Sequence, residues 1–281
     1  MNTIKVSIIM PCYNDGQYLM EAIESAALEE NTDTEVIVID DGSDDGQTAK
    51  ILTDIKHERI HVLHTQHVGP SAARNAGIAQ ARGRYILPLD ADDRIESCYI
   101  RRAAEVLDQR DHVGAVYCHA DLFGHASGPW KLPDYSFERM LVENLVFVTA
   151  MFRKEDWIAT GGFRTDMKDG LEDYDFFIGI LALGKDIVQL PDILFHYRIK
   201  KKSRTTNFVR DQEAVKRAFA NVYEHHSAFY ENHAALYANL LRNELIQEKY
   251  EKERLMQMNA WMIRLKRVPF INWLGRKLMR R

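Results

Sequence analysis

Short apolar runs alternate with amphipathic stretches over the first hundred residues. The runs Val6–Met10, Glu35–Ile39, Ile60–Leu63 and Tyr85–Leu89 have strand character, and Tyr18–Leu28, Gln47–Ile55 and Ser71–Ala81 between them have helical spacing. A β-α-β-α-β-α-β series of this kind predicts a parallel sheet with right-handed crossovers, whose ligands bind beyond the carboxyl ends of the strands. Further on, the pattern predicts a helix near Cys98–Gln109, a strand at Gly114–Cys118 and a Gly/Pro/Asp-rich loop over Phe123–Tyr135. A strand at Val146–Phe152, a helix at Gly170–Leu183 and two short strands, Asp186–Leu190 and Leu194–Tyr197, follow. From Asn207 to about Arg264 helical periodicity runs with no Gly or Pro. The expected organisation is a sheet domain over 1–204, a helical extension over 205–263 and a basic amphipathic tail over 264–281.

Composition narrows the class. At 46% apolar and 28% charged residues the 281-residue chain has the balance of a folded soluble protein. Its longest apolar runs, Leu145–Phe152 and Phe176–Leu183, are far below the ~18 residues that a membrane-spanning helix needs, and the N-terminus carries no secretory pattern. Three irregularly spaced cysteines, Cys12, Cys98 and Cys118, suggest neither a disulfide framework nor a thiolate zinc site, and a reducing, cytoplasmic setting is expected. Net charge is −4, but Gln257–Arg281 holds seven basic residues and no acid; setting those aside leaves −11. An acidic body disfavours nucleic acid, whereas the tail suits an anionic surface.

Several motifs match on letters and fail on mechanics. His57-Glu58-Arg59-Ile60-His61 fits the HExxH zinc pattern, but that site needs both histidines on one helix, and Ile60 already begins a strand. Gly179–Lys185 nearly matches a phosphate loop, yet its interior is an apolar helix face and Gly184 suits a helix C-terminus. Asp41–Gly46 resembles the start of a calcium loop that would need a glutamate where Leu52 stands.

The chemistry concentrates at strand ends. Asp90-Ala91-Asp92-Asp93 follows the fourth strand; three clustered carboxylates serve either as an acidic turn or as a holder for a hard divalent ion that bridges to a phosphorylated ligand. Pro11-Cys12-Tyr13-Asn14 and Asp40-Asp41-Gly42-Ser43 close the first two strands. They offer an aromatic face in Tyr13 and, in Asp41, either an acceptor for the ring N–H of a base or an Asx-turn and helix cap. Arg74, in Gly69-Pro70-Ser71-Ala72-Ala73-Arg74-Asn75, is either a surface pair or a ribose and phosphate contact. Asp169-Gly170-Leu171-Glu172 has capping-box spacing with Asp169 as N-cap. That accounts for Glu172 and leaves Asp173 unexplained.

In order and spacing, VSIIMPCYND, EVIVIDDGSDDG, GPSAARNAGIA, GRYILPLDADD and GLEDYDFFIGILALG resemble glycosyltransferase family 2, inverting enzymes of GT-A fold, over Lys5 to about Arg204. The resemblance implies an α/β, Rossmann-like, mostly parallel sheet flanked by helices, with the C-terminal helices as an appendage. It implies that Pro11, Tyr13 and Asp41 line the base of a nucleotide-sugar donor, with a UDP-sugar as the expected donor. Arg74 and Asp90 would hold the ribose and diphosphate region, Asp92 would bind Mn2+ or Mg2+, and Asp173 would be the general base, with Glu172 beside it at the acceptor. The acceptor class it permits is a glycan or lipid-linked glycan. The chain departs from the family at Tyr197-Arg198-Ile199-Lys200, where many relatives have Tyr-Arg-x-His: lysine replaces a histidine metal ligand. His196 is the nearby substitute, and the basic run Lys200–Arg204 suggests a lid over the diphosphate. Two rival readings are a nucleotidyltransferase, which would want a glycine-rich basic loop after the first strand, and a catalytically silent glycan-binding or scaffolding module.

From Ala260 onward, Trp261, Met262, Ile263, Leu265, Val268, Phe270, Ile271, Trp273, Leu274, Leu278 and Met279 interleave with the seven basic residues. Such a segment suits peripheral contact with the inner face of a membrane or, as the alternative, an oligomer contact.

Overall fold

The computed structural model describes residues 3–201, 208 and 210–266, the last eight by backbone alone. Strands β1 (Val6–Cys12), β2 (Thr34–Asp40), β3 (Ile60–His64) and β4 (Tyr85–Pro88) alternate with helices α1 (Gly16–Ser25), α2 (Gln47–Asp54) and α3 (Pro70–Gln80), as the periodicity predicts. β2 is buried along its whole length, the signature of a parallel strand covered on both faces. α3 packs close because Gly77 lacks a side chain: a Cβ there would lie 2.5 Å from Ile39 Cδ1.

With β5 (Arg94–Ile95), β6 (Val113–Gly124), β7 (Gly128–Pro129), β8 (Met151–Arg153) and β9 (Asp186–Ile199), the sheet runs in the order β3-β2-β1-β4-β8-β6-β9-β5, and β7 lies beside β6. Its first four strands are parallel. β8 (Met151–Arg153) joins β4 in the antiparallel sense through only two register pairs, Tyr85↔Arg153 and Ile86↔Phe152. β6 (Val113–Gly124) and β9 (Asp186–Ile199) run parallel to each other, and β5 (Arg94–Ile95) closes the edge antiparallel to β9. Strand order changes direction between β1 and β4, so the crevice beyond their carboxyl ends is the natural ligand position.

Three expectations change. The two short strands over 186–197 are one strand, because the pairing with β6 jumps from Cys118↔Leu190 to His119↔Ile193 and so takes up Pro191 and Asp192 as an irregularity. The apolar run from Val146 to Ala150 is buried without joining a ladder, and only Met151–Arg153 is strand; an apolar run records burial and not its backbone form. In its place the Tyr99 hydroxyl, on helix α4 (Ser97–Gln109), lies 2.9 Å from the Thr149 carbonyl. After the short helices α5 (Phe137–Met140) and α6 (Lys154–Thr160), helix α7 (Glu172–Ala182) starts two residues later than expected. Leu171 adopts a left-handed backbone (φ 63°) as N-cap with no side-chain bond, while Asp169 pairs with Arg217 at 3.0 Å. The capping box does not form.

The chain divides into two compact units, Met1–Glu231 and Asn232–Arg281. The first therefore runs past the expected boundary at Arg204. Helix Gln212–His225 belongs to it, capped by Asp211 and buried at Ala214, Ala218 and Val222, and His225 Nδ1 sits 2.7 Å from Asp175 Oδ1. Among the described residues the second unit holds the helix Ala234–Lys266, with Leu245 and Tyr250 among its exposed apolar residues. Residues 267–281 of the basic tail lie outside the described residues. No helix among the described residues is long and apolar enough to cross a membrane.

Candidate active site

The β1, β2 and β4 ends meet at one edge. Tyr13 is exposed, and its ring lies against His67, with centroids 4.1 Å apart. Pro11 is half-buried in β1. Asp41 is buried, and its carboxylate accepts from the Thr65 hydroxyl (2.7 Å), the Val68 N–H (2.7 Å) and the Gly69 N–H (2.8 Å). It thus shapes the loop that enters α3, a role that neither sequence alternative named. Gly42 next to it has φ 75°, and a Cβ there would meet the His67 nitrogen at 2.9 Å. Its close approach is to this loop, which holds His67 against Tyr13. The sequence gives little sign of His67; only the Gly69-Pro70 turn hints that the segment comes back to this edge.

Arg74 is buried and carries one charge between two carboxylates. Its guanidinium bonds Asp90 Oδ1 at 2.7 Å and Glu172 Oε1 at 3.3 Å, and these acids hold it charged against the cost of burial. Its Nε has no hydrogen-bond partner among the described residues. Arg74 is therefore a bridge from β4 to α7, and any contact with ribose or phosphate is secondary to that. Glu172, expected at the acceptor, is buried with its carboxylate turned to Arg74.

Asp173 is half-buried, and its Oδ1 accepts from its neighbour Tyr174 N–H (2.8 Å) and from Asn144 Nδ2 (3.1 Å). No hydrogen bond to Oδ2 occurs among the described residues. Burial, aided by the neighbouring Glu172 charge, pushes the Asp173 carboxyl up to about 6, against the pull of the Tyr174 N–H, Arg74 and Asn144. A carboxylate with one free oxygen and a pKa near neutrality suits a general base. Asn144, in the connection between the short helix Phe137–Met140 and β8, carries no mark in the sequence.

Asp92 and Asp93 are held differently. Asp93 is buried and accepts the Arg198 N–H at 2.7 Å; burial and the charges of Asp92 and Asp90 raise its carboxyl well above the usual range. Burial also raises Asp92, although Lys200 opposes it. Lys200 Nζ lies 2.8 Å from Asp92 Oδ2 and 2.9 and 3.0 Å from the two oxygens of Asp15. Asp92 was expected to hold Mn2+ or Mg2+. No group of three or more His, Cys, Asp or Glu among the described residues is placed to hold a metal ion, and the carboxylate in question already faces an ammonium. The residues present do not fit the metal. His196 does not substitute, since Asp121 (2.6 Å) and Glu96 (3.0 Å) engage its two ring nitrogens. Of the expected lid over Lys200–Arg204, residues 202–204 lie outside the described residues.

The motif decoys fail as expected: α2 ends at Asp54, before His57, and His61 lies in β3, while Gly179 is inside α7.

The family model for "Glycosyl transferase family 2" matches residues 7–164, more than half the chain. The chain belongs to this family. Among curated relatives, the chondroitin synthase of Escherichia coli is 30% identical over 185 residues, 64% of this chain and 27% of that one. The hyaluronan synthase of Pasteurella multocida is 27% identical over 187 residues, 64% of this chain and 19% of that one. The family 2 chain thus spans about a quarter or less of the length of these relatives. Among solved structures, S. aureus TarS 1-349 in complex with UDP-GlcNAc superposes with a TM-score of 0.61 at 20% identity, over 80% of this chain and 73% of that one. The UDP complex of TarS 1-349 gives 0.58 at 23% identity over 73% and 63%. At such identities the likeness is one of fold, and the fold is that of the GT-A transferases. The family match ends before Asp173 and Lys200, so the roles of both rest on the geometry above.

Proposed function

We propose that the chain is an inverting glycosyltransferase that moves a sugar from a UDP-sugar to an acceptor hydroxyl, in the assembly of a polysaccharide or other glycoconjugate. Family membership supports sugar transfer; the relatives named as chondroitin and hyaluronan synthases, and the UDP and UDP-GlcNAc complexes of TarS, support the donor and the product class. The observation that carries the reading is Asp173, a carboxyl raised to about 6 with an open oxygen, tied through Glu172 and Arg74 to Asp90 at the sheet edge.

The roles follow from placement. The Tyr13 and His67 rings and the loop ordered by Asp41 form the wall for the base. The β4 end, fixed by Arg74, lies where the crevice meets the diphosphate. Asp173 Oδ2 takes the proton of the acceptor hydroxyl as its oxygen bonds to the anomeric carbon and the nucleotide diphosphate leaves from the opposite side, inverting the centre. A positioned base contributes about 10²- to 10⁴-fold. Mn2+ or Mg2+ has no step in this reading, because Lys200 holds the position.

The test is a thermal-shift screen with UDP, GDP and dTDP and their sugars, followed by turnover of the stabilising donor. A ligand at ~100 times its dissociation constant adds about 2.7 kcal/mol of stability. Stabilisation by UDP with sugar release that disappears in Asp173→Asn supports the reading. Binding of sugars without any turnover of a donor would make the chain a glycan-binding module, and release of pyrophosphate from a nucleoside triphosphate a nucleotidyltransferase.

The setting we propose is the cytoplasmic face of a membrane, with the basic tail meeting anionic lipid that carries the acceptor. Its support is the tail sequence and free Cys12 and Cys118, both buried. Co-sedimentation with anionic and neutral vesicles, comparing the full chain with one ending at Met256, tests it. Equal partitioning of the two would leave the tail as an oligomer contact.

A further inference from the structure

We infer that Lys200 is this chain's built-in cation at Asp92, so that an ammonium held on the protein, in place of a divalent metal, meets the diphosphate of the donor. The inference rests on the donor reading above and deepens it.

The first ground is the shape of the contact. An ammonium has three N–H donors, and three carboxylate oxygens surround this one, Asp92 Oδ2 at 2.8 Å and the Asp15 pair at 2.9 and 3.0 Å; because two of the three belong to a single carboxylate, one N–H can pass from Asp15 to a phosphate oxygen while both ion pairs are kept. Asp15 follows β1 and Asp92 follows β4, the two strands between which the sheet reverses its order. One cation therefore joins the two lips of the crevice and offsets one of the two negative charges that Asp15 and Asp92 bring there.

The second ground is that Lys200 does not arrive there by chance of a loose side chain. β5 leaves the acidic turn directly and pairs with the end of β9, Arg94↔His196, which brings the residues after 196 back along the residues before 94. The Arg198 N–H then bonds Asp93 Oδ1 at 2.7 Å, and the Arg198 Nε bonds the Asp92 carbonyl at 2.6 Å. The Arg198 guanidinium is packed between Tyr18 and Phe123, 4.4 and 4.2 Å from their ring centres, and is paired with Glu21. Two residues further along an extended chain the side chain returns to the same face. Backbone pairing, and not the charge alone, therefore fixes where residue 200 points.

The third ground is exclusion. Mg2+ at a phosphate site is held by one or two carboxylates together with waters and the substrate's phosphates; with Asp90 committed to Arg74 and Asp93 to the Arg198 N–H, the carboxylate left to hold it is Asp92. A divalent ion on Asp92 must expel a cation that the register holds in place. At the one position where the family pattern has histidine, lysine exchanges a lone-pair donor for a positive charge, and the two chemistries exclude each other. Lysine is a competent phosphate partner as a point charge.

The experiment uses the full chain, freed of metal with EDTA, and UDP, GDP and dTDP as probes by titration calorimetry, with and without Mn2+; Mn2+ alone is followed by electron paramagnetic resonance. The expected result is nucleotide binding in EDTA that Mn2+ changes by less than about threefold, and Mn2+ that stays free in the absence of nucleotide. Loss of one charge-assisted contact in Lys200→Met weakens metal-free binding by about 10- to 100-fold, and Lys200→Arg, which keeps the charge, retains it. Lys200→His takes up Mn2+ and makes nucleotide binding depend on it. Should Lys200→Met not fold, the arginine and histidine variants still decide. Nucleotide binding by the wild-type chain only with Mn2+ overturns the inference and leaves the donor reading standing. So does metal-free binding by Lys200→Met as tight as the wild type. No nucleotide binding in any buffer removes both.

Discussion

Asp173→Asn is expected to make the protein more stable while it stops transfer. The carboxyl of Asp173 is raised from 3.8 to about 6, chiefly by burial and then by the Glu172 charge. The native state thus holds this proton more tightly than the unfolded chain does, and stability falls as pH rises through the window between the two values. At about 1.4 kcal/mol per unit, ionised Asp173 costs the fold about 3 kcal/mol at pH 7.5, roughly half of that at pH 5 and less than about 1 kcal/mol at pH 4. Asparagine carries no charge and keeps the Oδ1 that accepts from Tyr174 N–H and Asn144. Urea unfolding of wild type and variant at pH 7.5, 5 and 4 should therefore give a gain of about 3 kcal/mol that shrinks with acid, along with a ~10²- to 10⁴-fold drop in kcat. A variant no more stable than wild type at pH 7.5, or a gain that does not change with pH, would refute the burial argument; wild-type kcat would refute the base.

Three further outcomes are expected. The same raised carboxyl should make kcat/KM fall about tenfold per unit below pH 6, with the inflection absent from the residual activity of Asp173→Asn, as pH–rate profiles would show. Arg74→Met leaves Asp90 and Glu172 without their shared cation and should cost about 3 kcal/mol in urea unfolding, while Arg74→Lys, lacking the two-pronged reach, recovers only part of it. Asp41→Ala strips the Val68 and Gly69 N–H groups of their acceptor and should cost about 2–3 kcal/mol; hydrogen exchange at those two amides, unchanged from wild type, would contradict it.

The parallel half of the sheet was legible because buried parallel strands and amphipathic helices leave opposite periodicities in sequence, and β1 to β4 with α1 to α3 fall where those periodicities change. The carboxylate-bearing turns were legible for the same reason, since each closes a strand. The remainder depended on partners distant in sequence. Two-residue β5 has no period to read, yet it determines where Lys200 lands. The start of α7 turned on a left-handed Leu171, a backbone state that a leucine does not advertise. Asp41 read as a ligand or a cap of α2, because nothing local shows that the chain returns 27 residues later to offer it the Val68 N–H. The lysine at 200 was visible as a departure; its bond to Asp92 was not.

The two halves of the sheet touch through a seam of two register pairs between β4 and β8, and this makes the seam an inviting place to join halves of different relatives into hybrid enzymes. Backbone pairing would tolerate such a graft. The Arg74 bridge would not, because its guanidinium belongs to the first half and one of its two carboxylates, Glu172, to the second. A hybrid whose incoming half lacks an acid at that position would inherit a buried half-neutralised charge far from any loop that had been chosen for specificity. Parents for recombination are thus best matched first at 74 and 172, and only then for the sugars they recognise.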